Sequence, residues 1–300
     1  MNLRDWLTAS RALFSITVVL PCLLGGVIAL SEGYVNILLL VITAVGLFFG
    51  NMTANFTNDY YDYLSGVDAL DKGRRYKQGS EAVMKNGLTL QMVKVSIALA
   101  ISIVLAVGVY MLVFVDWRVV FFGVAGLFTA YFYTAPPFKL EYRGLGEVFS
   151  GIGCGPLPVI GTYFVMSHQI SATAVVASIP VGILVAAILY IGNVPDADAD
   201  KQVGKRTISV RLGRGAVRFL GPAFYASIYL IIALGALLGM LPIWTMLALL
   251  TAPSTVKLLR TTSANYEDIP MYAPAIMMTV KVFTLTTILM AVGFVIKTLV

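Results

Sequence analysis

Charge is scarce in this chain. Asp, Glu, Lys and Arg make up only 12% of its 300 residues, against roughly 25% in an average soluble domain. Histidine is nearly absent, and the single His168 in a short loop removes imidazole metal sites and leaves no ground for a histidine general base. Cysteine is equally sparse. Cys22 and Cys154 stand far apart in apolar stretches without C-x-x-C spacing, which excludes a disulfide scaffold and a cysteine zinc site and leaves both as packing residues. No small-residue cleavage site follows the first apolar run, Leu13 to Leu30, so that run is expected to stay as a helix and not to be removed as a signal peptide. Polar linkers and low-complexity segments are missing too, so 1–300 reads as a single membrane domain, and no nucleic-acid partner is expected.

What the chain has is apolar length. Hydrophobic residues make up 59% of it and the mean hydropathy is +0.87. Apolar runs fall near 13–30, 35–58, 92–115, 119–135, 148–166, 170–195, 217–239, 241–256 and 271–299. Each approaches the ~20 residues a helix needs to cross the hydrocarbon, which predicts an all-α bundle of nine transmembrane helices in a lipid bilayer. Alternate connections then lie on alternate sides, and 18 of the 21 Lys and Arg fall on one of them. Arg118 and Lys297 fall on the other, and Lys281 lies inside the last run. By the positive-inside rule the basic side is cytoplasmic, the N-terminus is inside and the C-terminus outside, in what is expected to be a prokaryotic cell membrane. Two inner loops are long and polar, so function is expected in caps on that face.

Acidic residues gather at two inner span ends. In NFTNDYYDYLSGVDALD, Asn55, Asp59 and Asp62 stand at i, i+4 and i+7, spacings that share one helical face. In NVPDADAD, Asn193, Asp196 and Asp200 stand at i, i+3 and i+7. Asp59 and Asp196 are 137 positions apart, which hints at two pseudo-repeated Asp-rich halves with clusters at 55–62 and 193–200. Carboxylates at the membrane end of a helix are costly, and opposed acidic sets repel unless a cation lies between them. Magnesium takes oxygen ligands and completes its shell with substrate phosphate, so a diphosphate bridging two or more Mg2+ ions suits the pattern. Helix capping is the competing explanation, and it fits Asp68, Asp71 and Asp198 better than the four aspartates at matched depth.

Basic residues flank both clusters: Lys72, Arg74, Arg75 and Lys77 by the first, Lys201, Lys205, Arg206 and Arg211 by the second, Lys139 and Arg143 between, and Arg11 at the mouth of the first span. They can neutralise a leaving diphosphate. The positive-inside bias alone would also put basic residues there.

These motifs carry a resemblance. The chain resembles the UbiA superfamily of membrane prenyltransferases over essentially its whole length, through NDYYD at Asn58 to Asp62 and NVPDADAD at Asn193 to Asp200. Within it the chain is similar to the 1,4-dihydroxy-2-naphthoate polyprenyltransferase branch of the menaquinone pathway, through NDYYDYLSGVD, YTAPPFKLEYRGLGE at Tyr133 to Glu147, and GKRTISVRLG at Gly204 to Gly213. It departs from many relatives at Gly66, where they carry a third aspartate, and in SRALF, where they carry an arginine-proline pair. The resemblance implies a nine-helix bundle of the UbiA type and prenyl transfer from an isoprenoid diphosphate to an aromatic acceptor. Asn55, Asp59 and Asp62 would bind one magnesium and Asn193, Asp196 and Asp200 another, with Asp59, Asp62, Asp196 and Asp200 catalytic. Arg11, Asn58, Arg75, Lys77, Tyr133, Lys139, Arg143, Lys205 and Arg206 would meet the substrate.

Other acceptors stay open at this point: hydroxybenzoate, homogentisate, a prenylated glycerol phosphate, haem or a chlorophyllide. A secondary transporter is disfavoured because the carboxylates sit at one membrane face and not at mid-depth. A phosphatidyl-alcohol transferase is disfavoured because its D-x-x-D-G-x-x-A-R pattern is missing, tyrosine following both Asp59 and Asp62.

Overall fold

A computed structural model describes residues 12–67 and 89–300. Arg11, Asp68, Asp71, Lys72, Arg74, Arg75 and Lys77 lie outside the described residues. The described chain is helical throughout and contains no strand. A 3-10 turn at Ala12–Ser15 leads into α1 (Ile16–Ser31), followed by α2 (Ile37–Ser65), α3 (Leu90–Phe114), α4 (Val119–Phe132), α5 (Gly146–Cys154), α6 (Pro156–Ser167) and α7 (Ala172–Asn193). Two short helices, α8 (Ala197–Gln202) and α9 (Ile208–Leu212), precede α10 (Val217–Leu237), α11 (Ala252–Asn265) and α12 (Ile269–Leu299).

Local chemistry sets the helix limits. Asn36 caps α2 by accepting the Leu39 N–H at 3.1 Å, and Gly66, at φ 73°, ends it in a left-handed turn that a side chain would disfavour. Thr89 caps α3 and Asp268 caps α12, each accepting an N–H three residues on. Helix α2 therefore runs past the predicted limit at 58 and carries Asn55, Asp59 and Asp62 within its last turns.

Six helical segments are long and apolar enough to cross a membrane: Ile37–Ser65, Leu90–Phe114, Gly146–Ser167, Ala172–Asn193, Arg214–Leu237 and Ile269–Leu299. Two of the predicted runs form shorter apolar helices, α1 and α4. The run at 241–256 is not one helix. It is a 3-10 segment, Ile243–Thr251, continuing into α11, and it lies so close to α12 that a side chain at Gly293 would meet the backbone of Thr245. The run at 148–166 breaks at Gly155–Pro156 into α5 and α6.

Helix α7 forms the centre of the bundle, with 61% of its apolar stretch buried against 11% for α2 and α3. It packs against α5, α6, α10 and α12 around Leu184, Tyr190, Ile191, Tyr225, Tyr272 and Phe283. The outward faces of α2 and α3 expose Leu38, Val41, Val45, Leu99, Leu105 and Val109. So much contiguous apolar surface is compatible with lipid and not with water, and the protein is an integral membrane protein. Where the bundle is tight, glycine makes the contact. A Cβ on Gly25 would overlap the carbonyl oxygen of Val159 on α6, and one on Gly155 would overlap the backbone of Gly182 on α7. Intramembrane hydrogen bonds add to this packing: Tyr229 on α10 meets Thr251 at 2.8 Å and Thr255 at 2.6 Å, and Thr251 meets Thr286 on α12 at 3.0 Å.

The close approaches predict a contrast. Gly25→Val should lower the melting temperature of detergent-solubilised protein by overpacking worth ~1–3 kcal/mol. Gly50→Ala, where no atom of the described residues lies within 4 Å of the added carbon, should leave it unchanged or raise it, since alanine favours a helix interior by up to ~1 kcal/mol.

Candidate active site

At about 100° per residue, Asn51, Asn55, Asn58 and Asp62 fall within an arc of roughly 60° on α2, and all four line one large cavity. Asp59 falls roughly 40° beyond Asn55 on the helix surface. It is buried, with 2% of its surface exposed, and does not appear in the cavity wall among the described residues. The predicted face is therefore rotated toward the asparagines. Their amides are held in a network: Asn55 Nδ2 donates to Asn51 Oδ1 at 3.1 Å, which also accepts from Ser15 Oγ at 3.2 Å. Asn58 Nδ2 donates to Thr134 Oγ1 at 3.1 Å and reaches Glu141 Oε2 at 3.5 Å.

The second cluster does not lie on one continuous helix. Asn193 is the last residue of α7, the chain turns at Val194–Pro195, and Asp196 and Asp200 belong to the start and body of α8. Proline at 195 cannot continue the α7 hydrogen-bond ladder, which accounts for the break. The turn is clamped by Arg214, which donates to the carbonyls of Val194 at 3.1 Å and Pro195 at 3.0 Å and pairs with exposed Asp198. Asn193, Asp196 and Asp200 all line the same cavity as Asn55, Asn58 and Asp62. The two acidic segments thus converge.

Lys205 stands between them. It is 3% exposed, and its ammonium lies 2.8 Å from Asp62 Oδ1 and 3.0 Å from Glu141 Oε1, while its backbone N–H donates to the Asp200 carbonyl. Burial opposes the Lys205 charge, but Glu141, Asp62 and Asp200 outweigh it and hold the lysine protonated above its usual range. Burial also pushes the Glu141 carboxyl above the usual carboxylate range; Lys205 opposes the rise, and Asp62 and Asp200 add to it. The predicted diphosphate contact is therefore anchored in an ion triad on the cavity wall. Tyr133 lines the cavity as well. Lys139, Arg143 and Arg206 do not: all three are exposed, Lys139 over the Tyr142 ring and Arg143 hydrogen-bonded to the Pro137 carbonyl. Two buried acids that sequence reasoning passed over, Glu141 and Glu147, lie within YTAPPFKLEYRGLGE; acids in a short loop between apolar runs were the available signal.

The cavity has a volume of about 880 Å3, toward the upper end of the ~300–1,000 Å3 usual for ligand sites. On α2 its wall runs from Thr43 to Asp62, roughly 28 Å of helix. One end carries the polar set. The remainder is apolar or small, and Phe122, Phe149, Val104, Val107 and Met111 are part of it. Five helical glycines in this wall, Gly50, Gly108, Gly123, Gly126 and Gly192, have no atom of the described residues within 4 Å of where a Cβ would stand. Glycine there serves neither helix packing nor a turn, and its effect is to widen the cavity.

Fold and site together define an all-helical membrane protein with carboxylate and amide groups and a buried ammonium at the head of a long apolar cavity. The sequence pattern of the UbiA prenyltransferase family matches residues 18–270. The chain is 30% identical over 242 residues to a 1,4-dihydroxy-2-naphthoate octaprenyltransferase of Bacillus subtilis (strain 168), covering 79% of this chain and 75% of that protein. It is 27% identical over 296 residues to the protein so named from Escherichia coli (strain K12), covering 96% and 94%. In fold it is similar to a digeranylgeranylglyceryl phosphate synthase, with a TM-score of 0.66, 15% identity and 98% of each chain covered. It is also similar to a UbiA homolog from Archaeoglobus fulgidus bound to GPP and Mg2+, with a TM-score of 0.61, 14% identity and 95% and 99% covered. The chain belongs to the UbiA prenyltransferase family, and it is a membrane prenyltransferase.

The ion triad generates a stability prediction. Lys205→Met should leave Asp62 and Glu141 buried without their cation and cost on the order of 3–5 kcal/mol, seen as a fall in melting temperature. Adding Glu141→Gln should recover part of it.

Proposed function

We propose that this chain transfers a polyprenyl group from its diphosphate onto 1,4-dihydroxy-2-naphthoate, with magnesium at the acidic head of the cavity. The observation that carries the reading is the meeting of Asn55, Asp62, Asn193, Asp196 and Asp200 at one end of a cavity whose apolar wall can take a long isoprenoid tail. The names of the Bacillus and Escherichia relatives supply the acceptor, and the Archaeoglobus homolog bound to GPP, DMAPP and Mg2+ supports the donor and the ion. In topology the proposal is a single membrane domain of nine spans and two Asp-rich halves, with the N-terminus and the acidic head on the cytoplasmic side.

The donor set fits magnesium by its chemistry, being carboxylate and amide oxygens only. Among the described residues no three acidic, histidine or cysteine side chains come together to hold an ion by themselves, so water and substrate phosphate would have to complete the shell. Asn55 and Asp62 are assigned one ion, with Asp59 of the same motif buried behind them, and Asn193, Asp196 and Asp200 another. Bound there, magnesium supplies Lewis-acid charge that neutralises the departing diphosphate.

The chain's own residues do the rest. Lys205, fixed by Asp62 and Glu141, presents positive charge at the cavity wall where the diphosphate oxygens lie. The Tyr133 hydroxyl is assigned a hydrogen bond to them, and Arg11, Arg75 and Lys77 are assigned to the same anion; Asn58, whose NH2 is held by Thr134 and Glu141, would meet the substrate through a magnesium-bound or water-bound contact of its carbonyl oxygen. Exposed Lys139, Arg143 and Arg206 attract it as it approaches. As the bond from the allylic carbon to oxygen breaks, the electron pair leaves with the diphosphate. Phe149 is assigned the face toward the allylic cation, where its ring excludes water, and Phe122, deeper in the cavity, lines the path of the tail. The ring carbon of the acceptor that bears the carboxylate then bonds to the allylic carbon, and carbon dioxide leaves from that position. Asp62 or a diphosphate oxygen takes the hydroxyl proton of the acceptor as the carbon–carbon bond forms, and returns it to the enolate oxygen once carbon dioxide has left its electron pair on the ring.

Membranes containing the protein, given a labelled isoprenoid diphosphate, Mg2+ and a panel of aromatic and glycerol phosphate acceptors, should yield prenylated dihydroxynaphthalene lacking the carboxylate. Transfer only to another acceptor would overturn the assignment. Asp59→Ala and Asp196→Ala should each lower turnover by at least about 100-fold while leaving the protein folded. Gly126→Leu should shift the preferred donor to a shorter tail, measured as relative kcat/KM for two chain lengths; unchanged preference would place the tail elsewhere.

A further inference from the structure

Glu147 lies in the first turn of α5, is 1% exposed, and is not part of the cavity wall. Its Oε1 accepts from Asn193 Nδ2 at 3.3 Å and from the Ile208 backbone N–H at 3.2 Å. Oε2 has no hydrogen-bond partner among the described residues. One carboxylate thus joins the start of α5, the end of α7 and the start of α9, at the cost of burying an under-used charged group. An ionised carboxylate can only accept, so the amide of Asn193 must turn its NH2 toward Glu147. The carbonyl oxygen, on the other side of the same planar amide, is left for the cavity that Asn193 lines. A glutamine at 147 would hold the same two N–H groups but would also permit the reversed pairing. Asn58 is handled in the same manner across the site, its Nδ2 directed to Thr134 and Glu141.

We propose that Glu147 is a positioning residue that fixes the Asn193 amide with its carbonyl oxygen toward the divalent ion. This rests on the magnesium site proposed above. An outer-shell partner that orients a metal ligand typically contributes about 10–100-fold to metal affinity, and the effect at Glu147 is expected within that range.

The test is Mn2+ binding, followed by the electron paramagnetic resonance of free Mn2+, to the detergent-solubilised, monodisperse protein with inorganic diphosphate present. Glu147→Ala should weaken binding about 10–100-fold, and Glu147→Gln should weaken it less. Asn193→Asp alone should also weaken binding, because two carboxylates then face each other. The double variant Glu147→Gln with Asn193→Asp should bind more tightly than Asn193→Asp alone, since the glutamine NH2 donates to the new carboxylate while its oxygen keeps the Ile208 N–H. Folded Glu147→Ala protein with wild-type affinity, or a double variant no better than Asn193→Asp, would overturn the positioning role alone. Wild-type protein that takes up no Mn2+ would overturn the metal reading and this inference with it. If Glu147→Ala does not fold, the comparison of Asn193→Asp with the double variant decides the matter.

Discussion

Buried negative charge at the head of an apolar cavity is the constraint on which the rest of the molecule turns. Asp62 and Glu141 touch one ammonium, Lys205, and Asp200 lies near enough to act on it. Among the described residues Lys205 is the cation that these carboxylates share, and burial, with Asp62 and Asp200 beside it, raises the proton affinity of the Glu141 carboxyl. A divalent ion accompanied by a phosphorylated substrate would bring further positive charge to the same head. The same charge also organises the surrounding chain, because Lys205 reaches Asp62 only if the segment after α7 folds back over the end of α2.

The membrane setting makes that fold-back possible. Helix α7 is buried on most sides and brings Asn193 to the polar end of the bundle, while α2 borders the cavity along most of its length and presents Asn55, Asn58 and Asp62 there. Glycines do two different jobs. At Gly25, Gly155 and Gly182 they let backbones touch and tighten the bundle; at Gly50, Gly108, Gly123, Gly126 and Gly192 they face empty space and widen the cavity. A bundle held together elsewhere by close backbone contact and threonine hydrogen bonds can keep an open interior of this size without an apolar core filling it.

Much of this was legible in the chain. Low charge and long apolar runs gave the membrane class because lipid leaves few alternatives, and repeated aspartates at span ends pointed to the acidic head. What was not legible depended on breaks and rotation. Spacing put Asp59 on the face of Asn55 and Asp62, but tertiary packing rotates α2 so that Asn51 and Asn58 share the cavity instead. Proline at 195 splits the second cluster between α7 and α8, and the 3-10 conformation of Ile243–Thr251 reflects close packing at Gly293, which no periodicity encodes. The sequence carries the charge of Lys205, but its place at the centre of an ion triad depends on Glu141, 64 residues away. Lys139, Arg143 and Arg206 followed motif and charge, and the fold leaves them outside the cavity.

The most direct measurement is anomalous diffraction from crystals of the protein grown with Mn2+ and a non-reactive isoprenoid diphosphate analogue. The account predicts anomalous peaks between the end of α2 and the turn before α8, within coordination distance of Asp62 and of Asp196 or Asp200, with the tail along Gly123 and Gly126. Manganese bound away from both segments, or a diphosphate that contacts only one of them, would contradict it.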